Sequence, residues 1–152
     1  MIEHWIWLTQ IPYIGPVTAN RLLQTFGSPE RIYSASRQEI SNLCSISDKK
    51  LEMIIANRSF DKAYEIIDQC NANDIHILTM NDNLYPSKAK TYDAPIVLYY
   101  KGKLKQLDNT VGIVGARRCT REARAAAIEN AKEYSMRNVV VISGMAKGVD
   151  AY

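Results

Sequence analysis

Two short apolar runs in the second half of the chain each end in glycine and a cation. Val111 to Val114 leads into Gly115-Ala116-Arg117, and Val139 to Ile142 leads into Ser143-Gly144-Met145-Ala146-Lys147-Gly148. Glycines at such positions let backbone N–H groups come close to an anion. A helix that follows adds the positive end of its dipole. Arg117 contributes a planar fork of donors, Lys147 a compact point charge, and Ser143 a hydroxyl. Together these residue types suit the holding of a phosphate. The plainer alternative is that Gly115 and Gly144 only turn the chain and the cations are solvated. Two such loops closing two similar runs favour the phosphate.

The kind of phosphate is narrowed by what the loops lack. VGIVGARR is not G-x-G-x-x-G, and no G-x-x-x-x-G-K-[ST] occurs, so neither a dinucleotide nor a Walker-type nucleotide site is indicated. The basic residues also reach beyond one pocket. Lys101, Lys103 and Lys105 precede the first loop, and Arg118, Arg121 and Arg124 follow it. Residues 1–70 carry seven Lys/Arg against eight Asp/Glu; residues 71–152 carry twelve against eight. A basic half suits a polyanion, and a nucleic-acid backbone fits better than a single nucleotide. Arg118 and Arg121 are candidates for additional contacts.

Other chemistry finds little support. His4 and His76 have no evident Ser or Cys partner and read as ordinary residues. Asp150 reads as the N-cap of a helix beginning there, Trp5 and Trp7 as core, and Tyr99 and Tyr100 as opposite faces of a strand. Cys44, Cys70 and Cys119 show no C-x-x-C spacing, so no metal, cofactor or disulfide framework is expected, only free thiols in a reducing compartment. The start, Met1-Ile2-Glu3-His4-Trp5, lacks the positive charge of a signal peptide, and no apolar run approaches the ~20 residues of a membrane span. A cytoplasmic chain without a membrane partner is the expectation.

The loops require strands and a helix to place them. Val111 to Ile142 has the length of a βαβ unit, with a helix over Thr120 to Arg137. Its small residues Ala123, Ala127 and Ala131 permit close approach to a sheet. Continuously apolar strands point to parallel strands buried on both faces, and ligands of such sheets bind beyond the carboxyl ends of the strands. Both loops must then lie at the same end. Upstream the pattern is helical. Ala19, Leu22, Leu23 and Phe26 recur at helical spacing until Gly27. Ser28-Pro29-Glu30 starts another helix, and Ser36 with Glu39 forms a capping-box pattern. Ser47 to Cys70 is largely helical, with a break at Asn57-Arg58-Ser59. Beyond Asp74 the period changes to strands over Ile75–Met80 and Ile96–Tyr100. The expected class is α/β: an all-helical domain over 1–70, then a truncated parallel-sheet domain over 71–152. Because the chain stops where a further helix is due, it reads as a fragment.

The runs "VGIVGARRCTREA" and "VVVISGMAKGVDAY", preceded by "YPSKAKTYDAPIVLYYKGKL", closely resemble the DprA/Smf family of DNA-processing proteins over nearly the whole chain. That resemblance implies that the truncated domain over 71–152 is an extended Rossmann-like one, binding single-stranded DNA in a basic pocket. Arg117 and Lys147 would be phosphate contacts, with Gly115, Ala116, Ser143, Gly144 and Gly148 lining the pocket. It further implies a binding factor rather than an enzyme, one that guards incoming single strands in natural transformation and helps load the RecA recombinase. The complete family protein would be a homodimer. "IPYIGPVTANRLLQTFGS" looks like a helix-hairpin-helix, similar to the family's SAM-like region, but Tyr13 stands where the first hairpin glycine is expected; the segment is read as an accessory domain. Two alternatives stay open. One is a nucleotide-binding Rossmann-like hydrolase of the phosphoribohydrolase kind, whose P-G-G-x-G-T-x-x-E motif is absent here. The other is a remnant that has lost binding.

Overall fold

The computed structural model describes residues 1–104 and 108–152; Lys105, one of the basic residues singled out above, lies outside the described residues. The chain divides into two compact units, Met1–Lys105 and Gln106–Tyr152.

The first unit begins with α1 (Ile2–Gln10), α2 (Pro16–Phe26), α3 (Pro29–Ser34), α4 (Arg37–Leu43), α5 (Asp48–Ala56) and α6 (Asp61–Ala72). Their ends follow from local chemistry. Pro16 opens α2, where its missing N–H costs nothing. Gly27 closes α2 at φ +82°, its N–H donating to the Leu23 carbonyl at 2.7 Å. The Ser28 hydroxyl accepts the Arg31 amide at the start of α3. At the start of α4, Ser36 accepts from the Glu39 amide at 3.2 Å while Glu39 accepts from the Ser36 amide at 2.7 Å, a reciprocal capping box. Asn57-Arg58-Ser59 does separate α5 from α6. Ile6, Leu8, Leu22, Ile32, Ile40 and Ile54 form the fully buried centre. Trp5 and Trp7 are core residues, and Trp7 donates its indole N–H to the Asn57 carbonyl at 2.7 Å.

A hairpin of β1 (His76–Thr79) and β2 (Val97–Tyr100) completes this unit, antiparallel with Ile77 opposite Tyr99 and Leu78 opposite Leu98. The change of period near residue 70 is therefore a change of secondary structure, while the change of packing comes later, between Lys105 and Gln106. A two-stranded hairpin is unstable alone. This one buries Ile96 and Val97 in the same cluster as Leu8, Ile14 and Leu22. The connecting loop is tied down as well. The Asn20 side-chain amide donates to the Ala94 carbonyl at 2.8 Å, and the Tyr85 hydroxyl to that of Pro95 at 2.7 Å.

The second unit is a βαβ arrangement: β3 (Thr110–Gly112), α7 (Arg121–Met136) and β4 (Val140–Ile142). The strands pair in parallel, Val111 opposite Val141 and Gly112 opposite Ile142. Thr120 caps α7 by accepting the Ala123 amide. Burial on both strand faces, the expectation from the apolar runs, is not what the structure has. Val140 and Ile142 are 41% and 47% exposed, and Val114 is 75% exposed. Two strands and one helix can cover only one face of the sheet, where Ala127 of α7 is buried. Among the described residues no helix is long and apolar enough to cross a membrane.

Candidate functional site

The parallel ladder of β3 and β4 runs on by one more bond, from the Ile113 amide to the Ile142 carbonyl at 2.9 Å. Past that point both strands leave the sheet at its carboxyl end, as 113–119 and 143–148. The two loops touch backbone to backbone. Gly148 sits at φ +94°, and a Cβ placed on it would lie 2.1 Å from the Ala116 carbonyl oxygen and 2.7 Å from the Arg117 Cα. Only glycine satisfies both conditions. The Val149 amide donates to the Ala116 carbonyl at 3.3 Å. The Val149 side chain fills the place a Gly115 side chain would take, at 2.7 Å. The short turn after Gly148, Val149–Ala151, thus folds back over the first loop.

Asp150, read from sequence as a helix cap, does something else. Its Oδ1 accepts the Gly115 amide at 3.0 Å, and its Oδ2 lies 3.0 Å from where a Gly144 Cβ would be. Its backbone carbonyl accepts the Ser143 hydroxyl at 2.9 Å. The carboxylate is therefore lodged between the two glycines, with the N–H of Gly115 and the O–H of Ser143 both engaged inside the protein.

The cations are placed differently. Arg117, Arg118, Arg121 and Lys147 are exposed, and none of the four forms an ion pair with a described residue. Arg124 instead lays its guanidinium over the Tyr152 ring, 4.1 Å from the centroid. Beside the loops runs an open groove of about 480 Å³, lined by Gly115, Ala116, Arg118, Thr120, Ala123 and Val149 among others. Gly115, Ala116, Arg117, Ser143, Gly144, Lys147 and Gly148 are thus all at one end of one sheet. The arrangement has two glycines with one carboxylate lodged between them, and exposed cations on the same loops that form no ion pair with a described residue. Val149 and Asp150 are the members that sequence reading missed. Their partners lie in the other loop, and Asp150 is 35 residues from Gly115, so no local pattern announces the contact.

The N-terminal hairpin has its own geometry. Tyr13 adopts φ +65°, the left-handed conformation that a glycine would take there, and the Lys49 ammonium sits 3.7 Å above its ring. Lys50 donates to the Thr18 hydroxyl and Arg21 to the Ser45 carbonyl. Unlike Arg117, Arg118, Arg121 and Lys147, these cations are engaged within the protein. His4 is buried against the rings of Tyr33 and Phe60. Cys44 and Cys70 are buried free thiols and Cys119 is half-buried.

Comparison with known proteins adds an independent line. Residues 76–152 match the sequence profile of the DNA recombination-mediator protein A family, and residues 8–57 match that of a SAM-like helix-hairpin-helix tandem. Protein Smf of Synechocystis sp. is 27% identical over 97% of the chain and 39% of its own length. The DNA processing protein DprA of Streptococcus pneumoniae is 38% identical over 45% of the chain and 25% of its own length. The chain thus spans less than half the length of these curated relatives. The X-ray structure of the S. pneumoniae DprA superposes with a TM-score of 0.69 at 20% identity, covering 99% of this chain and 52% of that one. At that identity the likeness speaks for a shared fold.

Proposed function

Because this chain belongs to the DNA recombination-mediator protein A family, the DprA/Smf proteins, we propose that its second unit binds single-stranded DNA by the phosphate backbone, without reading sequence. The observation that carries this reading is the meeting of the two glycine loops at the carboxyl end of β3 and β4, with Arg117 and Lys147 exposed and unpaired by described residues. An exposed cation without an internal partner is free to exchange its counterion for a phosphate. Arg118 and Arg121 extend the same charge along the start of α7. Phosphate contacts position a strand without carrying sequence information, so the affinity on this reading follows charge and spacing.

Family membership supports, as part of the same proposal, a wider role in DNA processing. The protein acts as a binding factor rather than an enzyme. It shields single strands taken up in natural transformation and delivers them to the RecA recombinase. The complete protein works as a homodimer. The helical unit is an accessory, since Lys49, Lys50 and Arg21 around its hairpin already have internal partners.

The test is oligonucleotide binding by the full chain as a function of salt. For single strands each phosphate contact contributes a slope of about −0.7 to log K against log salt. Arg117→Ala and Lys147→Ala are each expected to flatten that slope by about 0.7. Each is also expected to weaken binding roughly tenfold, about the 1.5 kcal/mol of a charge-assisted hydrogen bond. The loss should be equal for oligo-dT and mixed-sequence DNA. If neither substitution changes slope or affinity, the loops are not the site.

A further inference from the structure

We propose that Asp150 is a specificity-determining residue of this site: its carboxylate closes the glycine floor to terminal phosphates and so restricts the loops to the phosphodiesters of a strand passing over the rim. The inference rests on the reading above that the loops bind a nucleic-acid backbone, and it names which phosphate chemistry they accept.

Three observations lead to it. Two donors that could bind a phosphate dianion at the bottom of the cradle are already engaged by one residue. The Gly115 amide donates to Asp150 Oδ1 at 3.0 Å, and the Ser143 hydroxyl to the Asp150 carbonyl at 2.9 Å. Second, the absence of a side chain at Gly144 makes room for the Asp150 carboxylate, whose Oδ2 is 3.0 Å from the Cβ position. That glycine houses an internal anion. Third, Arg117 and Lys147, which form no ion pair with a described residue, are exposed on the same two loops.

Charge decides between ligands. A terminal phosphate carries nearly two negative charges at neutral pH, whereas a diester carries one. To use the floor, a terminal phosphate must displace one carboxylate oxygen and sit within a few ångströms of the other. Like charges at about 4 Å repel by about 1 kcal/mol even in water and by more near a protein surface, a factor of about five or greater. A diester held by the rim cations keeps its single charge farther from Asp150. A strand also presents successive diesters to Arg117, Lys147 and the neighbouring Arg118 and Arg121, which a mononucleotide cannot.

The experiment compares the full chain with Asp150→Asn and Asp150→Glu, following a labelled oligo-dT by fluorescence anisotropy while dTMP is titrated at constant ionic strength. Direct calorimetric titration of dTMP accompanies it. Asn is close to isosteric and its amide oxygen can still accept the Gly115 N–H, so the floor keeps its shape but loses its charge. The unsubstituted chain is expected to hold oligo-dT with dTMP acting no better than an equal ionic strength of chloride. Asp150→Asn should bind dTMP about tenfold more tightly, and Asp150→Glu, which restores the charge, should exclude it again. An Asn variant that gains no dTMP binding, whether or not it still holds the oligonucleotide, overturns the proposal. So does a Glu variant that admits dTMP as Asn does, since packing rather than charge would then be the cause. Failure of the unsubstituted chain to bind oligo-dT would sink the function proposed above and this inference with it. Retained oligo-dT binding that is sensitive to Arg117→Ala, with dTMP competing equally in all variants, would sink this inference alone.

Discussion

Replacing Gly148 with alanine probes the contact on which the whole site depends. The residue stands at φ +94°, and an added Cβ would meet the Ala116 carbonyl oxygen at 2.1 Å and the Arg117 backbone at 2.7 Å. Two costs add. A residue with a Cβ held at positive φ is destabilised by about 1–2 kcal/mol. Forcing a methyl group into a filled space costs about 1–3 kcal/mol more. The neighbour here is backbone, which cannot rotate away as a side-chain tip would. The expected penalty is therefore about 2–5 kcal/mol, unless the loops part. Parting is the cheaper response, because what joins them is chiefly the bond from Val149 to Ala116, that from Gly115 to Asp150, and the fit of Val149 against Gly115. Gly148→Ala should then expose the amides of Gly115 and Val149 to exchange while those of α7 stay protected, and oligonucleotide affinity should fall with them. Gly112 is the matched control. It lies in β3, its φ is not positive and nothing approaches its Cβ position within 4 Å. Gly112→Ala should change stability by no more than about 0.5 kcal/mol, with a gain the more natural sign. Hydrogen exchange and denaturant unfolding of both variants decide the matter. Equal behaviour of the two would refute the claim that these loops are packed against each other.

Two further expectations concern the helical unit. Trp7→Phe keeps most of the buried ring but leaves the Asn57 carbonyl without the indole N–H it accepts at 2.7 Å; a loss of about 1–2 kcal/mol in urea unfolding is expected, and an unchanged midpoint would show that water replaces the bond freely. Glu39 is held below the usual carboxylate range, first by accepting the Ser36 backbone amide and then by its bond with the Ser36 side chain. A lowered folded pKa means a contribution that is full above the unfolded value of about 4.3 and vanishes as pH falls through the folded one. The stability gap between the unsubstituted chain and Glu39→Gln should accordingly be open at pH 6 and close on acidification. A gap that widens toward acid contradicts the capping box.

Much of this architecture can be read from neighbours in sequence. Gly27 ends α2 and Ser28 begins α3, and Ser36 with Glu39 forms the box, because helix termini are satisfied by groups only a few residues away. The apolar runs at 111–114 and 139–142, with a helix between them, announce a parallel βαβ unit. Parallel strands in turn oblige Gly115-Ala116-Arg117 and Ser143-Gly144 to emerge at the same end. Composition places the excess of cations in that half of the chain. None of this needs more than the periods of helix and strand and the handful of residues that start and stop them.

What only tertiary structure decides are contacts whose partners are distant along the chain. The hairpin at 76–100 has the period of a sheet but packs into the core that Leu8, Ile14 and Leu22 build, since two strands must find an apolar face somewhere and periodicity does not say where. Tyr13 takes the backbone conformation of the glycine it replaces, beneath Lys49. Asp150 looks from its neighbours like a helix cap, yet it answers an amide 35 residues away and puts a carboxylate among the residues proposed to bind an anion. Local pattern reports what each residue tends to do with the next few. The folded chain determines which of the remaining donors and charges are already satisfied, and so which are left for a ligand.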